Sequence, residues 1–286
     1  MSQPGQIFVI GTARSGTTWL GNLLAAHPAI TAVTAVQHHG VHESHLLDHT
    51  RYALPGIMSC EAFVAEYSRE DYFKLAGLTI DDFCSVAPKS GDACDFFKAM
   101  MEEFARRVGA RYWLEKTPKH AIYYAEILAR FPNARFVVIE RDFRAVLRSQ
   151  LGKYARPGAP RWLQVLEKVF RYVSDMKAIA KLQRAARDKV MTISYEDLVQ
   201  DTDRQIRRIT DFLGLEPERL RSAYSPVPSF EGNSNEVPQS SALDLLAVEL
   251  TRRLLLLVPF RLAWAVRNRR DRRQARHFPK YTRITQ

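Results

Sequence analysis

Between the apolar run Ile7–Ile10 and the apolar stretch after Thr18 lies Gly11-Thr12-Ala13-Arg14-Ser15-Gly16-Thr17-Thr18-Trp19. A glycine-bracketed loop between a strand and a helix start aims several backbone N–H groups at one point, and the helix dipole adds positive potential there. That is phosphate-binding chemistry, and Arg14, Ser15, Gly16, Thr17 and Thr18 are the candidate ligands. The Gly-x4-Gly spacing is that of a P-loop, but Thr17 stands where the P-loop lysine belongs, and the cation has moved upstream to Arg14. No Walker pattern for Mg²⁺ accompanies it. A plain turn is the alternative, disfavoured by the hydroxyls at positions 12, 15, 17 and 18.

A second cationic position is Arg141, which ends the apolar run Arg135–Glu140. Ligands of open α/β sheets bind at such strand ends. Ser149 follows eight residues later, about two helical turns on, and so shares a helix face with Arg141. Read alone, the same residues also suit a helix capped by Asp142 with exposed arginines. The segment from Gln37 to His45 holds His38, His39, His42, Glu43 and His45, the densest set of titratable groups in the chain. Its His38/His42 and His45/His49 pairs have helical spacing, but without HExxH or a nearby cysteine a metal site is disfavoured and none is assigned.

These positions need a scaffold of alternating elements. Strand signals lie at Ile7–Ile10, Ile30–Val36, Arg111–Leu114, Arg135–Glu140 and Val190–Ser194. Helical signals cover Gly16–Ala26, Asp92–Arg107, Ile122–Arg130, Phe143–Tyr154, Trp162–Arg187 and Thr202–Leu213. The alternation predicts an α/β chain: a P-loop-like three-layer fold with a central parallel sheet flanked by helices. Gln37–Gly91 fits this scheme poorly and reads as a substrate-side insertion. Residues 1–240 form the expected main domain, and 241–286 a C-terminal basic, amphipathic extension.

Arg14-Ser15-Gly16-Thr17-Thr18 resembles the 5′-phosphosulfate loop of the sulfotransferases that use 3′-phosphoadenosine 5′-phosphosulfate (PAPS), whose pattern is [KR]-S-G-T-T. Arg141-Asp142-Phe143-Arg144 with Ser149 resembles the family's 3′-phosphate motif, with Phe143 in place of the usual proline or glycine. Tyr195-Glu196-Asp197-Leu198, followed by Phe212-Leu213-Gly214-Leu215, resembles its Y-E-D-L…F-L-G-L block. The resemblance implies a sulfuryl transfer from PAPS to a hydroxyl of a lipid, glycan or small molecule, releasing PAP, without a metal. Trp19 and Tyr195 would approach the adenine, and Arg141 and Ser149 the 3′ phosphate. Trp113-x-Glu115-Lys116-Thr117-Pro118 is similar to another family block, which makes Lys116 the cation for the moving group; Lys119 and His120 would line the acceptor side. A transfer to an alcohol needs a proton acceptor, and His42-Glu43-Ser44-His45 aligns with the family's P-E-T-H segment. Glu43 is the first choice for that base, His42 and His39 the next. The R-K-G element of cytosolic members is missing, with Glu231–Asn235 in that region, which favours the bacterial, Golgi-type and tyrosylprotein-like branches. A P-loop kinase and a noncatalytic nucleotide-binding protein at a membrane surface are the competing readings.

The chain has 286 residues, 46% hydrophobic and 26% charged, which suits one well-packed domain and excludes extensive disorder. Its net charge of +11 is concentrated: residues 251–286 hold eleven Lys/Arg against Asp271 alone, leaving the rest nearly neutral. A nucleic-acid partner is therefore disfavoured, and any polyanionic surface is met by the tail. Leu243–Val266 suits either an amphipathic helix on an anionic membrane or a helix packed on the domain; its longest apolar run, Leu254–Phe260, is too short to span. Cys60, Cys84 and Cys94 show no disulfide framework, and the amino terminus lacks a signal-peptide pattern, so a cytoplasmic, at most membrane-associated, protein is expected.

Overall fold

The computed structural model describes residues 3–36, 39–216 and 242–276. In chain order the strands are β1 (Gly5–Gly11), β2 (Ile30–Ala32), β3 (Thr34–Ala35), β4 (Gly40–Val41), β5 (Met58–Ser59), β6 (Ser90–Gly91), β7 (Tyr112–Glu115), β8 (Arg135–Glu140) and β9 (Val190–Ser194). The helices are α1 (Thr17–Ala25), α2 (Arg51–Ala53), α3 (Cys60–Tyr67), α4 (Asp71–Leu75), α5 (Ile80–Val86), α6 (Ala93–Arg107), α7 (Tyr124–Arg130), α8 (Phe143–Lys153), α9 (Arg161–Ala185), α10 (Tyr195–Gln200), α11 (Thr202–Leu213), α12 (Ala242–Leu257) and α13 (Phe260–Ala275). A π-helical turn, Leu46–Thr50, leads into α2, and a 3₁₀ turn, Pro118–Tyr123, leads into α7.

The main sheet has the order β2-β7-β1-β8-β9, with every neighbour parallel. Its central strands bury both faces, as a helix-covered parallel sheet must. In β1, Phe8 and Ile10 enter one core and Ile7 and Val9 the other; in β8, Phe136 and Val138 oppose Val137 and Ile139 in the same way. The two-residue period of a strand thus splits one apolar run between two helical layers. Parallel pairing also brings the C-terminal ends of β1, β7, β8 and β9 to one edge, where the candidate residues gather.

The strand expected over Ile30–Val36 is shorter, breaking after Ala32, with Val33 buried and Thr34–Ala35 turning to pair antiparallel with β4. Ile122 opens no helix; Pro118 starts a 3₁₀ turn that becomes helical only at Tyr124. The segment read as an insertion is largely framework. Phe63, Tyr67, Tyr72, Phe73 and Phe83 from α3, α4 and α5 join Phe96 and Phe97 of α6 in the larger core, and Phe63 stacks on Phe96 at 4.7 Å. Cys60 and Cys84 meet there with sulfurs 3.2 Å apart, as free thiols.

In the tail, the described residues pack α12 and α13 on the domain and leave an outer face of each exposed. α13 lies against α9, α2 and the Leu46–Thr50 turn. Its buried stripe is Ala263, Arg267, Asp271 and Ala275, four residues apart, with Asn268 beside it. Arg267 pairs with the buried Asp175 of α9, Tyr52 donates to Asn268, and Tyr123 donates to Asp271 at 2.7 Å. Gln37, His38, Glu231–Asn235, the expected boundary at 240 and residues 277–286 lie outside the described residues. Among those described, no helix is long and apolar enough to cross a membrane.

Candidate active site

The phosphate loop is shaped by two left-handed residues, Arg14 (φ 73°) and Gly16 (φ 100°). Glycine is required at the second: a Cβ on Gly16 would stand 2.6 Å from the Tyr195 ring. Gly16 caps α1 without a side-chain acceptor, so the amides that open the helix, at Thr17, Thr18 and Trp19, face outward with no carbonyl behind them. Thr17 is buried, whereas Thr18 and Trp19 are partly exposed. Ser15 is fully buried; its amide donates to the Thr12 carbonyl at 3.0 Å, and its hydroxyl has no hydrogen-bond partner among the described residues.

Structure joins the two expected phosphate motifs. Arg14 Nε donates to Ser149 Oγ at 3.0 Å, and Arg141 Nη1 donates to the Arg14 carbonyl at 3.3 Å. The Arg141 guanidinium stacks 4.0 Å from the Tyr195 ring centroid, and Trp19 meets that ring edge-on at 5.8 Å. Three residues unmarked by the sequence reading brace this group. Gln150 Nε2 donates to the Ala13 carbonyl at 2.8 Å, holding the loop. Glu196 accepts from the Asp142 amide at 3.1 Å, tying the α10 start to the Arg141 turn. Asn22 of α1 donates to the His39 carbonyl and accepts from the Val41 amide, both at 2.8 Å, fastening the loop before Glu43 to the helix that begins at the phosphate loop.

At the end of β7, Lys116 is 2% exposed and donates to Glu43 Oε1 at 3.0 Å. His45 Nε2 stands 3.6 Å from the other Glu43 oxygen, while its Nδ1 faces Asp48 at 3.1 Å. Burial opposes ionisation of Glu43, but Lys116 and His45 outweigh it and hold the carboxyl below its ordinary 4.5. Burial also opposes charge on His45, yet Asp48 and Glu43 raise that ring above 6.5. Lys119 pairs with Asp48 at 3.1 Å and with Asp271 at 3.7 Å. Charges therefore alternate from Glu43 through His45, Asp48 and Lys119 to Asp271 on α13. Beneath them, Glu115 accepts from Ser44 at 2.7 Å, from Thr117 at 2.5 Å and from His120 Nδ1 at 2.9 Å, which fixes the Lys116 turn to the Glu43 loop.

The other base candidates are placed elsewhere. His42 is buried and stacks on Tyr72 of α4 at 5.8 Å. His39 sits in an exposed left-handed turn, and burial holds His49 down to about 4. Among the described residues no group of three His, Cys, Asp or Glu is arranged to hold a metal.

Residues 4–219 match the family model described as "Sulfotransferase family". A putative protein-tyrosine sulfotransferase of Caenorhabditis briggsae is 24% identical, covering 73% of this chain and 65% of that protein. Protein-tyrosine sulfotransferase 1 of Danio rerio is 25% identical over 73% of this chain and 53% of its own length. The chain thus spans about half to two thirds of the curated relatives it matches. Among solved structures, the sulfotransferase domain from the curacin biosynthetic pathway superposes with a TM-score of 0.53 at 16% identity, covering 91% of this chain and all of that one. Sulfotransferase STF1 of Mycobacterium tuberculosis gives a TM-score of 0.53 at 17% identity, covering 90% and 77%. These likenesses support the α/β architecture. They also correct the expectation of a cytoplasmic protein: the curated relatives are of the protein-tyrosine type and longer than this chain, so its first residues are no guide to compartment, and that placement is withdrawn.

Proposed function

Because the chain belongs to the sulfotransferase family, we propose that it transfers a sulfuryl group from PAPS to an acceptor hydroxyl by direct in-line displacement, releasing PAP. The observation that carries this reading is a lysine-free phosphate loop, tied to Ser149 and Arg141, beside a neighbouring strand whose end holds the buried Lys116 paired with Glu43. The residues fit the donor. Arg141 Nε is buried with no hydrogen-bond partner among the described residues, and the loop backbone passes bare at Gly16 beneath Tyr195. PAPS supplies the activated sulfuryl group. The helix-opening amides and Arg14 hold its 5′ end, Arg141 and Ser149 its 3′ phosphate, and Trp19 and Tyr195 its base.

Lys116, out of water, stabilises negative charge on the transferred oxygens more strongly than an exposed lysine could. Glu43, ionised at neutral pH and 34% exposed, takes the acceptor's proton from the open side. Glu43→Gln should leave PAP affinity unchanged by calorimetry and lower transfer of labelled sulfate by about 10²–10⁴-fold, the usual weight of a general base. Unchanged transfer would remove Glu43 from the role. Titration with PAP against ATP and Mg²⁺ separates this reading from a kinase, and transfer to any acceptor pool separates it from a noncatalytic binder.

The elbow between α12 and α13 favours a membrane surface as the place of work. Leu254, Leu257, Leu262 and Val266 are exposed there, Leu257 at 78%, beside Arg253, Arg261 and Arg269. Apolar side chains interleaved with arginines suit an anionic bilayer. The wild-type chain should sediment with phosphatidylglycerol vesicles and not with phosphatidylcholine, and Leu254→Asp with Leu257→Asp should abolish that; equal sedimentation of the double variant would dismiss the idea.

A further inference from the structure

Behind Lys119, between α9 and α13, lies a cavity of about 180 Å³ lined by four cations, Lys119, Arg171, Arg267 and Arg270. A water occupies about 30 Å³, so a tetrahedral oxyanion fits with room for the group that carries it. Two of the cations are already matched, Arg267 by Asp175 and Lys119 by Asp48. The others are not. Arg270 at 2.5 Å, Arg156 at 2.6 Å and Arg171 at 3.3 Å all converge on the single carboxylate of Glu167. Asp271, the cavity's second acid, is committed to Tyr123 and Lys119, and burial raises its pKa. Burial, then the nearby Arg270, lower the pKa of Arg171, as crowded like charges should. The wall thus carries more guanidinium than its acids neutralise, in the planar, forked form that grips phosphate, sulfate or carboxylate.

Lys119, Asp48 and His45 connect the cavity to Glu43 by successive ion pairs. Tyr154 feels the charges of Glu43 and Arg14 at the reacting groups and of Arg171 and Lys119 at the cavity. We propose that this cavity is an anion subsite for the acceptor, so that the hydroxyl compound sulfated at Glu43 carries a second, anionic group seated between Arg171 and Arg270. This rests on the hydroxyl-acceptor reading above, and names the acceptor's chemical class.

The test uses the full chain saturated with PAP, which occupies the donor site, titrated calorimetrically with inorganic phosphate, glucose 6-phosphate and glucose. Glucose 6-phosphate presents hydroxyls at several distances from its phosphate. The expected result is saturable binding of both phosphates and none of glucose, with glucose 6-phosphate the tighter. Arg171→Gln and Arg270→Gln, made separately, should each weaken both by about tenfold to a hundredfold, the worth of a charged hydrogen bond, with PAP affinity intact as the check on folding. Absence of saturable phosphate binding, or binding unaltered in both variants, overturns the subsite while leaving the donor site standing. Tighter binding of inorganic phosphate than of glucose 6-phosphate marks a free-anion site and overturns the assignment to an acceptor. Loss of PAP binding by the wild-type chain would instead strike the underlying sulfotransferase reading.

Discussion

The donor edge and the acceptor side of this site are built in opposite ways. The proposed donor edge is made of short contiguous runs, Gly11–Trp19, Arg141–Ser149 and Tyr195–Glu196, each leaving the end of a parallel strand, and on that reading backbone geometry supplies much of the binding. The acceptor side is a chain of paired side chains, from Glu43 through Asp48 and Lys119 to Asp271, drawn from three distant stretches of sequence. Backbone cradles tolerate little change, because their donors cannot be moved one at a time. Side-chain chains can be rewired one residue at a time. The difference suggests a fixed donor and an adjustable acceptor.

Substitutions can break this contrast, starting with the largest effect. Arg267→Ala leaves Asp175 as an unpaired buried carboxylate and should cost about 3–5 kcal/mol in chemical denaturation. It should also loosen α13 and so damage the acceptor side, while PAP affinity of the remaining folded protein is kept. A loss of PAP affinity at lesser cost would mean that the two halves are not separable. Gly16→Ala strains a backbone at φ 100° and drives a methyl into Tyr195. Destabilisation of about 1–2 kcal/mol is expected from the left-handed conformation alone, with PAP binding weakened beyond that proportion. Ser149→Ala removes the acceptor of the Arg14 Nε and should weaken PAP by roughly 1 kcal/mol, a typical single hydrogen bond; an unchanged titration would separate Ser149 from the donor site.

The smallest effect sharpens the acceptor half. With the Glu43 carboxyl held below 4.5, the acid limb of kcat/KM should lie at lower pH than an ordinary glutamate would give. His45→Ala removes one of the cations holding it there, so the acid limb should move upward. For stability, the raised His45 pKa contributes below 6.5 and is lost as pH rises through the folded value, whereas the lowered Asp48 pKa contributes above 3.8 and is lost on acidification. The alkaline decline of the melting temperature should therefore shrink in His45→Ala. An acid limb unmoved by the substitution would uncouple His45 from Glu43.

Legibility followed the same division. The donor loop, the sheet and the Arg141 turn could be read because each is local: a strand period of two, a glycine pattern, a helix start. The burial of Ser15 is not legible from its neighbours, because packing against Gly11 and not a local pattern sets it. His42 and His39 follow Glu43 as base candidates because other branches of the family use a histidine, and the packing that sets His42 against Tyr72 leaves no mark on its neighbours. α13 was the hardest. Its buried stripe contains Arg267, Asn268 and Asp271, which any hydropathy pattern assigns to solvent, and only the matching Asp175, Tyr52 and Tyr123 elsewhere in the chain explain it. The aromatic layer of α3, α4 and α5 was similarly masked by the short, broken helices that carry it.

The clasp of Asn22 around residues 39–41 has a mechanical meaning. On the proposed reading, one helix begins at the donor's phosphate end and, five residues after Thr17, grips the loop that carries Glu43. At about 1.5 Å of rise per residue, that stretch of fewer than two turns is a ruler of roughly 7–8 Å between the phosphate loop and the Glu43 loop. On that reading α12 and α13 can be lengthened or recharged to suit new acceptors while α1 keeps the reacting distance.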